Sequence, residues 1–189
     1  MSQIVTKAGA ALAFGVAMLL SSAAAALPES TRGPFYVQGT IPLGFGSWSF
    51  RGYHGSWRPD VEFGIHFNGR HDGFVLAVRQ AFHVSVDDAG DIGAATVVRL
   101  GYDIAIPISK YELTIAPYGT VGIGYVFWRF GPSAGLQTAG GVDGKFFIIK
   151  GFYAFARPFE FGVQCFHDGP GCGFAFVTGA GVGFAFPTR

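Results

Sequence analysis

Several groups of residues in this chain have types and spacings that could do chemistry. His83-Val84-Ser85, with Asp87 and Asp88 close behind, sets a base beside a hydroxyl and carboxylates within reach. A base-activated serine nucleophile needs that set, with His taking the hydroxyl proton and Asp orienting the ring. Because the match is only two residues long, we adopt the plainer alternative, a strand end running into an acidic loop. Cys165 and Cys172 bracket F-H-D-G-P-G. Two cysteines close across a Gly-Pro turn in an exported chain point to a loop-closing disulfide; a metal held with His167 and Asp168, or isolated thiols, are the alternatives. Gly119, Gly122 and Gly124 have the look of a phosphate loop, but no helix follows to supply the cradle, so they belong to a strand. His66 is expected to be an inward hydrogen-bonding residue, since no second metal ligand has recognisable spacing. Trp48, Arg51, Tyr53, His54, Trp57 and Arg58 crowd one segment, where they would contact a surface partner or the phosphates of lipopolysaccharide, or simply lie at a membrane interface. Nothing points to a cofactor.

The elements that must position these residues announce themselves by alternation. Val61 to Asn68 reads V-E-F-G-I-H-F-N, with Val61, Phe63, Ile65 and Phe67 on one side and Glu62, Gly64, His66 and Asn68 on the other. Only a strand points successive side chains to opposite faces. The same two-faced pattern predicts strands over Phe35–Gly46, Phe74–Val84, about 98–106, Glu112–Trp128, about 136–146, Phe152–Cys165 and Gly173–Phe186, eight in all. Long loops are expected near 47–60, 85–93, 128–135 and 166–172, with short turns and both termini at the other end. Pro42 and Pro117 cannot donate to a ladder, so bulges are expected there. A further bulge near Arg157-Pro158 would switch parity and turn Arg157 inward.

Composition fixes the setting of these strands. Half of the 189 residues are hydrophobic, 16% are aromatic, 13% are charged and 30 are glycine. Soluble domains carry about twice that charge fraction. The formal net charge of +1, with no Lys/Arg cluster, gives no footprint for nucleic acid. Residues 1–26 have the tripartite form of a secretory signal: Lys7, an apolar run from Ala8 to Leu20, then small residues with an A-x-A site at Ala24 to Ala26. Residues 27–189 then form one domain, and beyond the signal no apolar stretch is long enough for a spanning helix. A mean hydropathy of +0.37 without spanning helices leaves a dense all-β domain or a barrel whose apolar face meets lipid.

Lumen volume separates those two. In a lipocalin-type barrel the aliphatic and aromatic faces would point inward, and an eight-stranded lumen is just wide enough for modest side chains. The opposite face, of Gly, Ala, Thr and charge, does fit. It brings Glu62, Arg79, Arg99, Asp103, Asp143, Lys145 and Glu160 inside, where near balance of sign favours a closed, cross-linked plug over an open pore. Glu62 is expected to pair with Arg79 or Arg99. Phe35, Tyr111, Phe127, Trp128, Phe146 and Phe186 sit at strand ends, as interfacial girdles do.

With its Gly-rich faces, the segment A-G-G-V-D-G-K-F-F (Ala139 to Phe147) and the last strand G-V-G-F-A-F (Gly181 to Phe186), the chain resembles the family of small eight-stranded outer-membrane barrels, of the OmpA-transmembrane-domain and OmpX kind. The resemblance is one of pattern and covers nearly the whole mature chain. It implies an all-β, eight-stranded antiparallel transmembrane barrel in the outer membrane of a Gram-negative cell, reached by Sec-type export. It also implies contact with outer-membrane lipid and lipopolysaccharide, handling by the barrel-assembly machinery, and a monomeric, non-enzymatic protein with a structural or surface-interaction role. That family's last strand usually ends on an aromatic residue, whereas here three residues follow Phe186. A narrow channel for ions or small solutes is the second functional expectation. The third is a lipid-modifying enzyme, since His83-x-Ser85 is similar to the H-x-S of outer-membrane lipid A deacylases.

Overall fold

The computed structural model describes residues 32–49, 52–67, 72–85, 92–108, 111–128, 131–149, 151–167 and 171–187. The signal segment over 1–26 lies outside them. The strands are β1 (Arg32–Ser49), β2 (Gly52–Trp57), β3 (Asp60–His66), β4 (Gly73–Ser85), β5 (Ile92–Ile108), β6 (Tyr111–Trp128), β7 (Gly131–Ile149), β8 (Phe152–Phe166) and β9 (Cys172–Pro187). Every pairing is antiparallel. β2 and β3 both lie between β1 and β4, so they are two pieces of one barrel stave, and β1 pairs with β9 to close the ring. The result is a closed barrel of eight staves, each paired on both sides among the described residues.

The polarity of the faces is inverted relative to a soluble domain. Phe63, Phe74, Leu100, Val121, Ile123, Phe127, Leu136, Phe161 and Phe174 stand exposed around the outside, while Glu62, Arg79, Arg99, Asp143, Lys145 and Arg157 are buried within. Apolar side chains outside and ionic ones inside suit a solvent of hydrocarbon. Arg32 and Pro187, the first and last described residues, pair with each other at the same barrel end as the β3–β4, β5–β6 and β7–β8 turns.

Three expectations are corrected. The long loop over 47–60 is instead mostly strand: β1 continues to Ser49, and β2 pairs back with Trp48 opposite Tyr53 and Gly46 opposite Gly55. Alternation is imposed only where one face meets lipid or a core, so a stave that extends past that zone keeps its backbone ladder without the sequence signature. The loop over 128–135 shrinks to residues 129–130, because Trp128 already pairs with Gly131, whose φ of 121° only glycine adopts readily. At Pro117 no bulge forms. The β5–β6 ladder drops the rungs at Tyr102 and Asp103 and resumes in the same register at Ile104–Ile115. The missing donor costs pairing there without inserting a residue. A register shift does occur at Pro42/Gly44, and another between Arg157 and Glu160 leaves Arg157 1% exposed.

Candidate functional site

The face opposite the apolar belt converges on the barrel axis. Glu62 on β3 is fully buried and accepts hydrogen bonds from Tyr36 (2.7 Å), Gln38 (3.1 Å), Arg79 (2.9 Å) and Arg99 (3.1 Å). Both expected arginine partners are therefore engaged at once. Arg79 stands directly across the β3–β4 ladder from Glu62, and its other arm donates to Glu160 on β8. Arg99 reaches on to Asp143 on β7 at 2.7 Å. Arg157 closes the circle, donating to Asp143 at 2.9 Å and to Asp60 at 2.9 Å. Charge-assisted bonds thus cross the lumen between β3, β4, β5, β7 and β8, and each buried ion keeps a partner of opposite sign.

Tyr118 of β6 is the apolar filling of this ionic layer. Arg99 lies 3.9 Å from its ring centroid, Arg79 5.0 Å and Arg157 5.6 Å, and its hydroxyl donates to Glu160 at 2.6 Å. Cations over the ring face gain from its quadrupole where water is absent. Arg99 Nε and Nη2 and Arg79 Nη2 make no conventional hydrogen bond, and this aromatic contact is what the guanidiniums have instead.

Nearer the termini lies a second layer of interior side chains. Asp103 Oδ2 receives Lys145 at 2.5 Å and faces His66 Nε2 at 3.1 Å, while Tyr153 donates to Gln38 at 2.9 Å. Tyr36, Val75, Ala77, Phe147, Tyr153, Phe155 and Ala185 pack as one apolar cluster there. Large rings fit because glycines stand across the ladder from them: Gly64 from Tyr36, Gly183 from Tyr153, Gly181 from Phe155 and Gly141 from Tyr118. A Cβ on Gly181 would come within 2.7 Å of the Phe155 ring, and one on Gly141 within 2.7 Å of the Tyr118 hydroxyl. These four glycines are thus sockets for particular aromatics.

At the end away from the termini, Arg58 sits at the break between β2 and β3 and donates to Gln137 at 3.0 Å. Gln137 leans toward Gln164 at 3.5 Å. With Arg79, Thr120 and Glu160 they line a narrow polar crevice whose free space is on the scale of one water molecule. Cys165 and Cys172 form a disulfide across the β8–β9 ladder at this same end, with Cα atoms 3.9 Å apart.

The structure places Glu62, Arg79, Arg99, Asp103, Asp143, Lys145 and Glu160 inside the barrel, with His66 and Arg157, which were also expected to point inward, and it adds Asp60. Asp60 escaped the sequence because it sits on the first residue of β3, at the margin of an apparent loop. Of the rim residues, Trp57 is half exposed and Arg58 turns into the crevice; Trp48 and Tyr53 are ladder neighbours, and Arg51 lies outside the described residues. His83 lies on β4, and Ser85 pairs with Ser56 along the ladder, but Asp87 and Asp88 fall outside the described residues, so no triad is assembled among those described. Among the described residues no group of three His, Cys, Asp or Glu could hold a metal.

No family model matches this sequence, and no curated protein matches it. The fold, by contrast, is shared with solved structures. The crystal structure of Neisserial surface protein A superposes with a TM-score of 0.60 at 16% identity, covering 80% of this chain and 97% of that one. That of Ail, the attachment invasion locus protein of Yersinia pestis, aligns over 82% of this chain and 99% of that one at 12% identity and a TM-score of 0.40. The chain has the all-β fold of the small eight-stranded outer-membrane barrels.

Proposed function

We propose that this chain is an integral outer-membrane barrel with a sealed, ion-paired interior, whose role is structural or lies in contacts made at the rim opposite its termini. One observation carries this reading: two layers of buried ion pairs cross the lumen, one running from Asp60 through Arg157, Asp143, Arg99 and Glu62 to Arg79 and Glu160, the other joining Lys145 to Asp103, inside a wall whose outer face is apolar. A water-filled channel needs a polar but open lumen, and this one is crossed by side chains from opposite walls. The rim supplies Trp57 and the hairpin of β1 and β2, which rises beyond the paired part of β4. Aromatic residues at such a rim suit the headgroup level of a membrane or a partner surface. With the chain expressed in a Gram-negative host, the protein is expected to fractionate with outer membranes and to migrate faster in detergent gels unheated than boiled. Recovery in the soluble periplasmic fraction would overturn the proposal.

A further inference from the structure

The crevice at the end away from the termini is built on a chain of hydrogen bonds that runs in one direction. Arg58 can only donate, so the Gln137 amide turns its oxygen to it, at 3.0 Å. The Gln137 nitrogen then faces the Gln164 oxygen, at 3.5 Å. That leaves the Gln164 nitrogen as the last member, a donor with no acceptor among the described residues. Gly124 makes room for this arrangement, since a Cβ there would run into the Gln137 amide.

A second donor, from a different strand, ends in the same crevice. Arg79 is 1% exposed and lines it. Its Nε and Nη1 are taken by Glu62 and Glu160, but Nη2 meets no acceptor. The Tyr118 ring, 5.0 Å away, offsets the guanidinium charge without offering a lone pair to that N–H. A buried donor left without an acceptor is costly, and the free space beside this one is on the scale of one water molecule.

Charge decides what kind of acceptor the crevice takes. Among the described residues, the carboxylates Asp60, Glu62, Asp103, Asp143 and Glu160 face the cations Arg58, Arg79, Arg99, Lys145 and Arg157, with the charge of Arg58 set against Glu160 and Asp60. The numbers are equal, so an anion added here would be uncompensated, whereas a neutral acceptor would not. A water molecule also brings hydrogens of its own, and the Glu160 carboxylate and the Thr120 hydroxyl line the crevice to receive them. We infer that this crevice is a binding site for one water molecule, which accepts from Arg79 Nη2 and Gln164 Nε2 and donates to Glu160. Gln137 and Gln164 are then positioning residues, and this is the innermost wetted level of the lumen. Toward the termini, Tyr118 and the cluster of Tyr36, Phe147, Tyr153 and Phe155 fill the barrel.

Water-to-protein Overhauser spectroscopy tests the site on the unaltered protein, folded in detergent micelles with its glutamine side chains labelled. The Gln164 side-chain amide is expected to show a cross-peak to water with the sign of a molecule that tumbles with the protein. Absence of the cross-peak, or the sign of freely diffusing water, would overturn the inference without recourse to any variant. Ala139→Leu fills the crevice and is expected to remove the cross-peak; its survival in the folded variant would also overturn the site. In crystals soaked in bromide no anomalous peak is expected between Arg79 and Gln164, and bromide bound there would contradict a neutral occupant. The inference rests on the sealed-barrel reading but fails separately from it: conductance breaks that reading, while a missing cross-peak in a non-conducting barrel breaks this one alone.

Discussion

Replacing Glu62 by alanine removes the acceptor shared by the most donors in the interior. Tyr36, Gln38, Arg79 and Arg99, all of them buried, each lose a bond. Removing one partner from a buried ion pair typically costs about 3 to 5 kcal/mol, mostly because a charge is left uncompensated. Here neither arginine is stranded: Arg79 keeps Glu160, and Arg99 keeps Asp143 at 2.7 Å. The cost therefore belongs near the lower end, about 3 kcal/mol. Glu62→Gln preserves volume and one acceptor, so it is expected to cost less, though its amide must set a donor against a guanidinium. The assay is reversible urea unfolding of the refolded protein in lipid vesicles, followed by tryptophan fluorescence and gel shift. A double-mutant cycle with Arg79→Ala adds a check, since residues in one network couple by about 0.5 to 3 kcal/mol. A loss below about 1 kcal/mol for Glu62→Ala, with additive behaviour in the cycle, would refute the idea that this layer holds the barrel together.

Further predictions concern the other parts of the wall. Leu100→Arg, at an outward site in the middle of β5, should lower insertion stability by about 2 to 4 kcal/mol in vesicle unfolding, while Leu100→Phe should be tolerated. Gly64→Ala, whose new methyl would run into the Tyr36 ring, should cost about 1 to 3 kcal/mol, whereas Gly140→Ala, with its nearest contact at 3.6 Å on the lipid side, should change the urea midpoint little. Cys165→Ser with Cys172→Ser should lower stability by about 2 kcal/mol, matched by reductant on the parent protein, because the bridge closes only a short loop. Ser85→Ala should leave the acylation pattern of lipid A unchanged when cells carrying each form are compared by mass spectrometry.

Much of the wall was legible in the sequence because a lipid-facing strand must alternate. Val61, Glu62 and Phe63 in β3 follow the written pattern, and the parity slip at Arg157 was readable as a bulge. What the sequence withheld depends on register. That Tyr153 stands across from Gly183, or Phe155 from Gly181, is invisible until β8 is laid against β9. β2 was hidden for another reason: beyond the membrane zone its backbone still pairs, but nothing demands two-faced side chains. Depth was equally obscure. Ile65, which reads as the centre of an alternating stretch, is the penultimate residue of β3, so a charge there would sit near the edge of the belt and not at its middle.

The claim on which the rest depends is that the ion pairs seal the lumen. Purified protein reconstituted into planar bilayers tests it: the barrel is expected to insert, as judged by protease protection in matched vesicles, without sustained conductance above the bilayer baseline. Long-lived, stepwise conductance from the unaltered protein would contradict it, because ions cannot pass a lumen bridged by Glu62, Arg79, Arg99, Asp143 and Arg157.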